Sequence, residues 1–162
     1  MRKGRELLSL PVVVALTGEQ LGEVRELLYD TRECRLIGFV VADGGWLHGA
    51  KVVLMPEVRE ITGTAVVVED RACVRDLSEI RELKTAICDI NGYNLITTDG
   101  SELGTIRDLL ISPDKGKIEG YEISKGIIDD LLNGRSTVTV SGQVDIVGEQ
   151  VVVNITKGEG NQ

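Results

Sequence analysis

The chain contains the same pattern of residues twice, 82 positions apart. The segment Gly18-Glu-Gln-Leu-Gly-Glu-Val-Arg-Glu-Leu-Leu28 returns as Gly100-Ser-Glu-Leu-Gly-Thr-Ile-Arg-Asp-Leu-Leu110, and the register holds to Gly38 and Gly120, each followed by an aromatic residue. A repeat of this length indicates a duplicated small domain, because solenoid units recur every 20–50 residues or so. The 162-residue chain is therefore predicted to fold as two related halves of about 75 residues each.

Each predicted half is close to the smallest size at which one hydrophobic core can sustain a fold. Hydrophobic residues make up 42% of the chain but aromatic residues only 3%, so valine, isoleucine and leucine must fill both cores. Small units of this kind gain stability by packing against one another or by oligomerising. We therefore expect either close packing between the halves or a homo-oligomer.

The charge of the chain is acidic and unevenly distributed. The net charge is −8, with ten basic and eleven acidic side chains in residues 1–75 and eight and fifteen in residues 76–162. An acidic surface repels phosphate backbones, so direct binding of nucleic acid is not expected. No apolar run approaches the roughly 18 residues needed to cross a bilayer, and the apolar stretch at residues 7–16 is interpreted as the first strand. A cytoplasmic protein without a transmembrane segment is predicted.

Short strand patterns separated by glycine turns dominate both halves. They are predicted at residues 10–16, 23–30, 36–42, 52–55, 58–62 and 65–68, and again at 93–97, 105–112, 118–123, 138–140, 144–147 and 151–155. So many short strands cannot leave both sheet edges open, and closure into a small antiparallel β-barrel is the natural solution. Gly22 and Gly104 stand at strand starts, where a bulge or tight bend is expected. Gly38 and Gly120 lie inside strands, where two backbones are expected to approach closely.

Two short helices are predicted besides the strands. Residues 76–84, with apolar residues at helical spacing, form a connector between the barrels. Residues 125–134 form a loop helix that ends at Gly134. The predicted organisation is a first barrel at residues 3–75, the helical connector at 76–84, a second barrel at 85–156 and a flexible tail at 157–162.

The repeated pattern resembles a known family. An apolar strand, a turn glycine, Leu-Gly-x-Val/Ile-x-Asp/Glu-Leu-Leu and a later Gly-aromatic pair are similar to the PRC-barrel domain, in two copies at about residues 3–70 and 84–155. That domain is known from the cytoplasmic part of the photosynthetic reaction-centre H subunit and from the C-terminal half of a ribosome maturation factor. The resemblance implies a compact β-barrel that serves as an adaptor and has no common set of catalytic residues.

The sequence motifs of the common enzyme classes and metal sites are not found. No Gly-x-Ser-x-Gly, His-Glu-x-x-His or phosphate-loop pattern occurs. The cysteines, Cys34, Cys73 and Cys88, are odd in number and form no Cys-x-x-Cys pair, which favours reduced structural thiols. The single histidine, His48, is either a plain loop residue or a base or ligand, and no partner that would orient it is identified. No catalytic residue, metal or cofactor is predicted.

Candidate contact residues come from matching positions of the two halves. Arg25 and Arg107 occupy the same repeat position, and each is either an outward strand residue paired with a cross-strand acid, the favoured interpretation, or a docking contact used twice. The loops after the third strand of each half are apolar and either cover the barrel ends, which the small cores favour, or form an interface. The candidate interface residues are Arg25, Arg107, Trp46, Leu47, His48, Ile127, Ile128, Leu131 and Leu132.

The function predicted from these features is a non-enzymatic adaptor that binds an unidentified protein partner. A first alternative is an accessory factor in ribosome assembly or RNA metabolism that acts through a protein partner. A second alternative is a sensor of a small ligand or metal in the cleft between the barrels.

Overall fold

The computed structural model describes residues 1–44, 50–80, 89–114 and 116–154, and these residues are mostly β-structure. The strands are β1 (Arg2–Lys3), β2 (Pro11–Val14), β3 (Gln20–Asp30), β4 (Arg35–Ala42), β5 (Lys51–Leu54), β6 (Val58–Ile61), β7 (Val66–Val68), β8 (Arg75–Asp76), β9 (Asn94–Thr97), β10 (Glu102–Ser112), β11 (Lys117–Ser124), β12 (Ser136–Thr139), β13 (Asp145–Val147) and β14 (Gln150–Val153). One α-helix of the described residues, α1 (Ile127–Asn133), forms where the sequence predicts a loop helix. The prediction of a mainly all-β fold is confirmed.

The two halves repeat the same strand pairing. In the first half, β2, β3, β4 and β5 pair in that order as antiparallel neighbours, and β6 and β7 form a hairpin. In the second half, β9 to β12 and the hairpin of β13 and β14 repeat the arrangement. One pair in each half is parallel, β2 with β7 and β9 with β14, within the otherwise antiparallel arrangement that the sequence predicts.

The parallel pairs follow from the way in which each barrel closes. β5 pairs with β4 and then, beyond a 3₁₀ turn at Met55–Glu57, β6 pairs with β7. Together with the antiparallel pairs β2–β3 and β3–β4 and the parallel pair β2–β7, these pairings require β5 and β6 to run in the same direction, so the chain bends here instead of reversing. Pro56 lies in the turn, outside the hydrogen-bonded ladder that its missing N–H would interrupt.

Two of the repeated glycines mark places where strands nearly touch. Gly38 of β4 pairs with Leu54 of β5, and Gly120 of β11 pairs with Thr139 of β12. A Cβ atom at Gly38 would lie well inside van der Waals contact with the carbonyl oxygen of Val53, and Gly120 has the same relation to Val138. The predicted close approach of two backbones is confirmed at both positions.

A continuous cluster of buried apolar side chains extends through both halves, from Val12 and Phe39 to Tyr121 and Val151. A smaller cluster lies on the other face of β3, β4 and β5 and consists of Leu28, Val40 and Val52, with Leu77 and Ile80 packed against it. A 3₁₀ turn at Leu77–Glu79 occupies the described start of the predicted connector helix. The rest of that helix, at residues 81–84, and the predicted tail lie outside the described residues.

The halves are joined by backbone hydrogen bonds as well as by the shared core. β1, from the first half of the chain, pairs with β10 of the second half through Arg2 with Ile111 and Lys3 with Leu110. At the far end of the long strands, the Ile118 amide donates to the Cys34 carbonyl (2.8 Å). The expected packing between halves is therefore present, and it includes a strand that the sequence analysis does not predict. None of the described helices is long and apolar enough to span a bilayer.

Candidate functional site

A cleft of about 450 Å³ lies where the two halves meet. Its lining includes residues of the two longest strands, β3 and β10, which are equivalent by the internal repeat. Both Arg25 of β3 and Arg107 of β10 line it, so the structure brings together the two arginines that the sequence analysis matches by position. The apolar part of the lining includes Leu8, Leu27 and Leu109.

Arg25 and Arg107 each occupy a β-bulge. On β3, Val24 pairs with Val41 and Glu26 with Val40, so Arg25 is the extra residue without an opposite partner on β4. On β10, Ile106 pairs with Ile123 and Asp108 with Glu122, which leaves Arg107 as the extra residue. A bulge interrupts the alternation of side chains along a strand and re-aims the extra one. The same irregularity therefore directs both arginines to the cleft.

The two arginines carry charge that the described part of the chain does not pair. Within that part, neither Arg25 nor Arg107 forms an ion pair or a side-chain hydrogen bond, and both side chains are exposed. The favoured sequence interpretation places each arginine outwards, which agrees with this exposure, but the cross-strand acid that it pairs with each arginine is not found among the described residues. The reason is the bulge, because cross-strand pairing requires a directly opposite residue and a bulged residue has none.

A buried cluster of charges supports one side of the cleft. Glu122 of β11 is 3% exposed, and its carboxylate accepts from Lys3 Nζ (2.9 Å), Arg5 Nη1 (3.0 Å) and Arg135 Nη1 (3.0 Å). Burial opposes ionisation of Glu122, but the hydrogen bonds from Lys3, Arg135 and Arg5 outweigh it and lower its pKa to about 2. Arg5 also donates its backbone N–H to Asp108 Oδ2 (3.2 Å). Arg5 and Arg135 also line the cleft, but unlike Arg25 and Arg107 each of them already donates to a carboxylate.

A tyrosine fixes the other side of the cleft. The Tyr29 hydroxyl donates to Asp89 Oδ1 (3.4 Å) and accepts from the Ile90 amide (3.2 Å). Asp89 Oδ1 also accepts from the Asn91 amide (3.0 Å). These bonds tie the end of β3 to the start of the second half, so the lining is held by polar contacts that cross between the halves.

A second candidate surface is the outer face of α1. Ile127, Ile128, Leu131 and Leu132 are 81%, 75%, 81% and 77% exposed. Their spacing along the helix places them on one side, which we call the α1 apolar face. The favoured sequence interpretation, that this loop covers a barrel end, is wrong for these four residues, and the alternative of an interface stays a prediction.

Polar contacts explain why α1 presents its apolar side to solvent. Ser124 Oγ donates to Asp130 Oδ2 (2.6 Å) and accepts from the Gly126 amide (3.2 Å). The helix ends at Gly134, whose positive φ of 71° suits a residue without a side chain. Asp130 therefore holds the polar side of the helix against β11, and the opposite side faces outwards.

The remaining predicted site residues divide into two groups. Trp46, Leu47, His48 and Cys88 lie outside the described residues. Cys34 is a buried free thiol, Cys73 is a partly exposed one, and burial raises the pKa of the Cys34 thiol. Across the described ranges, no group of three or more His, Cys, Asp or Glu side chains is placed to hold a metal ion.

The sequence analysis misses the cluster around Glu122, although the repeat carries a signal for it. Glu122 stands 82 positions after Val40, so a carboxylate takes the place of a buried valine. An ionisable residue at a core position of one repeat indicates a paired charge, because an unpaired one would be too costly to bury. The sequence also carries a signal for the two bulges. The adjacent charged residues Arg25-Glu26 and Arg107-Asp108 interrupt the alternation of apolar and polar side chains along β3 and β10.

Comparison with known proteins identifies the repeated unit. The model of the PRC-barrel domain family matches residues 1–76 and again residues 84–160. No curated protein matches the chain.

Proposed function

Because the chain belongs to the PRC-barrel domain family and carries the domain twice, we propose that it is a non-enzymatic adaptor that docks onto a protein partner through the α1 apolar face. The single observation that supports this proposal is the exposure of four adjacent large aliphatic side chains, each at least 75% accessible. Single exposed apolar residues are common on protein surfaces, but contiguous groups of this kind are typical of interaction sites.

The energetics favour docking at this face. Full burial of one leucine or isoleucine side chain stabilises a complex by about 1.5–3 kcal/mol before the costs of association are subtracted. Four such side chains on a short, anchored helix need little ordering on binding, since Asp130 and Gly134 already fix its position. The arrangement corresponds to recognition of a helix by an apolar groove.

The charge next to the α1 apolar face favours a partner with a basic surface. Asp129 and Asp130 lie in the first turn of α1, and the second half of the chain has seven more acidic than basic side chains. The fitting partner is a protein with an apolar groove rimmed by lysine or arginine. Two copies of α1 packed together would bring like charges close, so the charge disfavours self-association through this face.

The test compares three forms of the tagged protein as bait in native lysate, each with and without nuclease. They are the wild type, Ile128→Glu/Leu131→Glu, and the control Leu16→Glu, which places a charge at an apolar residue that is 89% exposed outside α1. All three should melt at similar temperatures because the changed side chains are exposed. We expect a nuclease-resistant protein complex that the wild type and the control retain and the α1 variant loses. The captured protein, once purified, should bind the wild type and the Leu16→Glu control with similar affinity and the α1 variant more weakly.

Two outcomes would contradict the proposal. One is a partner that all three baits retain equally, because docking would then use another surface. The other is capture of ribosomal proteins that depends on intact RNA and is unaffected in the α1 variant. That result would support the alternative role in ribosome assembly or RNA metabolism.

A further inference from the structure

We propose that the cleft between the two halves binds a small organic anion, with a carboxylate or phosphate group held between Arg25 and Arg107 and an apolar portion against the leucines of the lining. This inference goes beyond the docking function, because none of the α1 residues lines the cleft. It concerns a separate site and a different kind of ligand.

Arg25 and Arg107 offer charged N–H donors to an anion. Each guanidinium is a planar fork of N–H donors that matches a carboxylate or phosphate, and hydrogen bonds between charged groups are stronger than neutral ones. Both arginines line one cleft, both are extra residues of bulges, and neither has a partner in the described part of the chain. Bulges are over-represented next to functional sites, where they re-aim a side chain.

Two of the four arginines in the cleft lining already have a carboxylate partner. Arg5 and Arg135 are bonded to Glu122, and Asp108 accepts from the Arg5 and Leu109 amides. Arg25 and Arg107 are then the two arginines of the lining that have no carboxylate partner among the described residues. Glu26 and Asp89 also line the cleft and repel highly charged ligands, so a compact anion fits better than a polyphosphate or a nucleic acid.

The volume and the apolar lining of the cleft favour a ligand that carries an apolar group as well as the anionic one. A volume of about 450 Å³ falls within the range of about 300–1,000 Å³ that is typical of small-molecule sites. Leu8, Leu27 and Leu109 belong to the lining, and apolar surface is exposed there by Leu27, which is half-buried, and by Leu8, which is 42% exposed. Covering that surface with an apolar group would be favourable, whereas inorganic phosphate would leave it in water.

The test is a titration of the ¹⁵N-labelled full chain followed by NMR of the backbone amides and the arginine Nε–Hε groups. The probes are hexyl phosphate, hexanoate, inorganic phosphate and hexanol. We expect saturable shifts of the Arg25 and Arg107 Nε–Hε signals with hexyl phosphate or hexanoate, and at least about tenfold weaker binding by inorganic phosphate and by hexanol.

Variants assign the binding to the arginine pair. Arg25→Gln and Arg107→Gln should each weaken binding of the organic anion at least about tenfold, since each removes a charged donor. Arg25→Lys/Arg107→Lys keeps the charge but removes the fork, and should bind with intermediate affinity. Arg32→Gln is the control, because Arg32 is an exposed arginine outside the cleft lining.

Three results would overturn the inference. They are the absence of any saturable shift, equal affinity of the wild type and the Arg25→Gln and Arg107→Gln variants, and equal affinity for hexanol and the anions. Binding of inorganic phosphate as tight as that of hexyl phosphate would overturn the assignment of the apolar portion. The α1 variants should bind the probes like the wild type, which separates this test from that of the docking function.

Discussion

Glu122 shows how one substitution between the repeats produces a feature that the other repeat lacks. Its counterpart in the first half, Val40, is buried in a small apolar cluster. Glu122 is just as inaccessible but accepts hydrogen bonds from three cationic side chains, two of which belong to the first half. A buried carboxylate is tolerated when its charge and lone pairs are satisfied in this way. The result is an ionic contact across the junction, next to the cleft.

This contact predicts a specific dependence of stability on pH. The pKa of Glu122 is about 2 in the folded chain and about 4.3 when unfolded. Because the folded value is the lower one, the stabilisation is fully present above about pH 5 and is lost as the pH falls towards 2. Its size is up to about 3 kcal/mol.

Glu122→Gln tests this prediction by urea unfolding at pH 7 and at acidic pH. We expect the variant to be about 3 kcal/mol less stable than the wild type at pH 7, and the difference to shrink as the pH approaches 2. Glu102→Gln, at an exposed position of β10, is the control for loss of a charge and should change stability little. A difference between Glu122→Gln and the wild type that does not vary with pH would contradict the account.

At the scale of strands, the glycine at the crossing of β4 and β5 sets how closely the two backbones pack. A side chain at Gly38 must displace the backbone of Val53 and Leu54, which is held in the ladder. Gly38→Ala should therefore destabilise the protein by about 3 kcal/mol or more.

Gly63→Ala is the matched control for Gly38→Ala. A Cβ atom at Gly63 would meet no atom within 4 Å, so its effect should be at most about 1 kcal/mol and in the stabilising direction. Urea unfolding of the two variants and the wild type measures both effects. Equal stability of Gly38→Ala and the wild type would show that the strands can separate at this point.

The strands were the most predictable part of the fold, because alternation and glycine turns are local signals that the repeat displays twice. The pairing of β1 with β10 was not predictable, since it joins a two-residue strand to residues more than a hundred positions away. The direction of β6 depends on whether the chain bends or reverses at Met55–Glu57. The residue pattern within a strand does not distinguish a bend from a reversal.

The candidate site was predictable in its residues but not in its arrangement. The repeat indicates that Arg25 and Arg107 are equivalent, but it contains no information that both of them line one cleft. For α1, the pattern predicts the helix and its Gly134 end, whereas its orientation depends on the Ser124–Asp130 hydrogen bond. Which face points outwards is decided by such tertiary contacts and not by helical spacing.

For the whole molecule, the central claim is that the two copies of the domain form one body. The apolar cluster extends through both halves, β1 pairs across the junction, and Glu122 binds cations from both sides. The cleft that both arginines line lies where the halves meet. If the halves folded and moved independently, Arg25 and Arg107 would not keep a fixed relation to each other.

Differential scanning calorimetry of the full chain tests this claim most directly. A single cooperative unit of this length should unfold with a calorimetric enthalpy of about 110 kcal/mol near 60 °C, and the van't Hoff enthalpy from the width of the transition should be equal to it. We predict one transition with a ratio of the two enthalpies close to one. Two transitions, or a van't Hoff enthalpy of about 55 kcal/mol, would show that the halves unfold separately and would contradict the account.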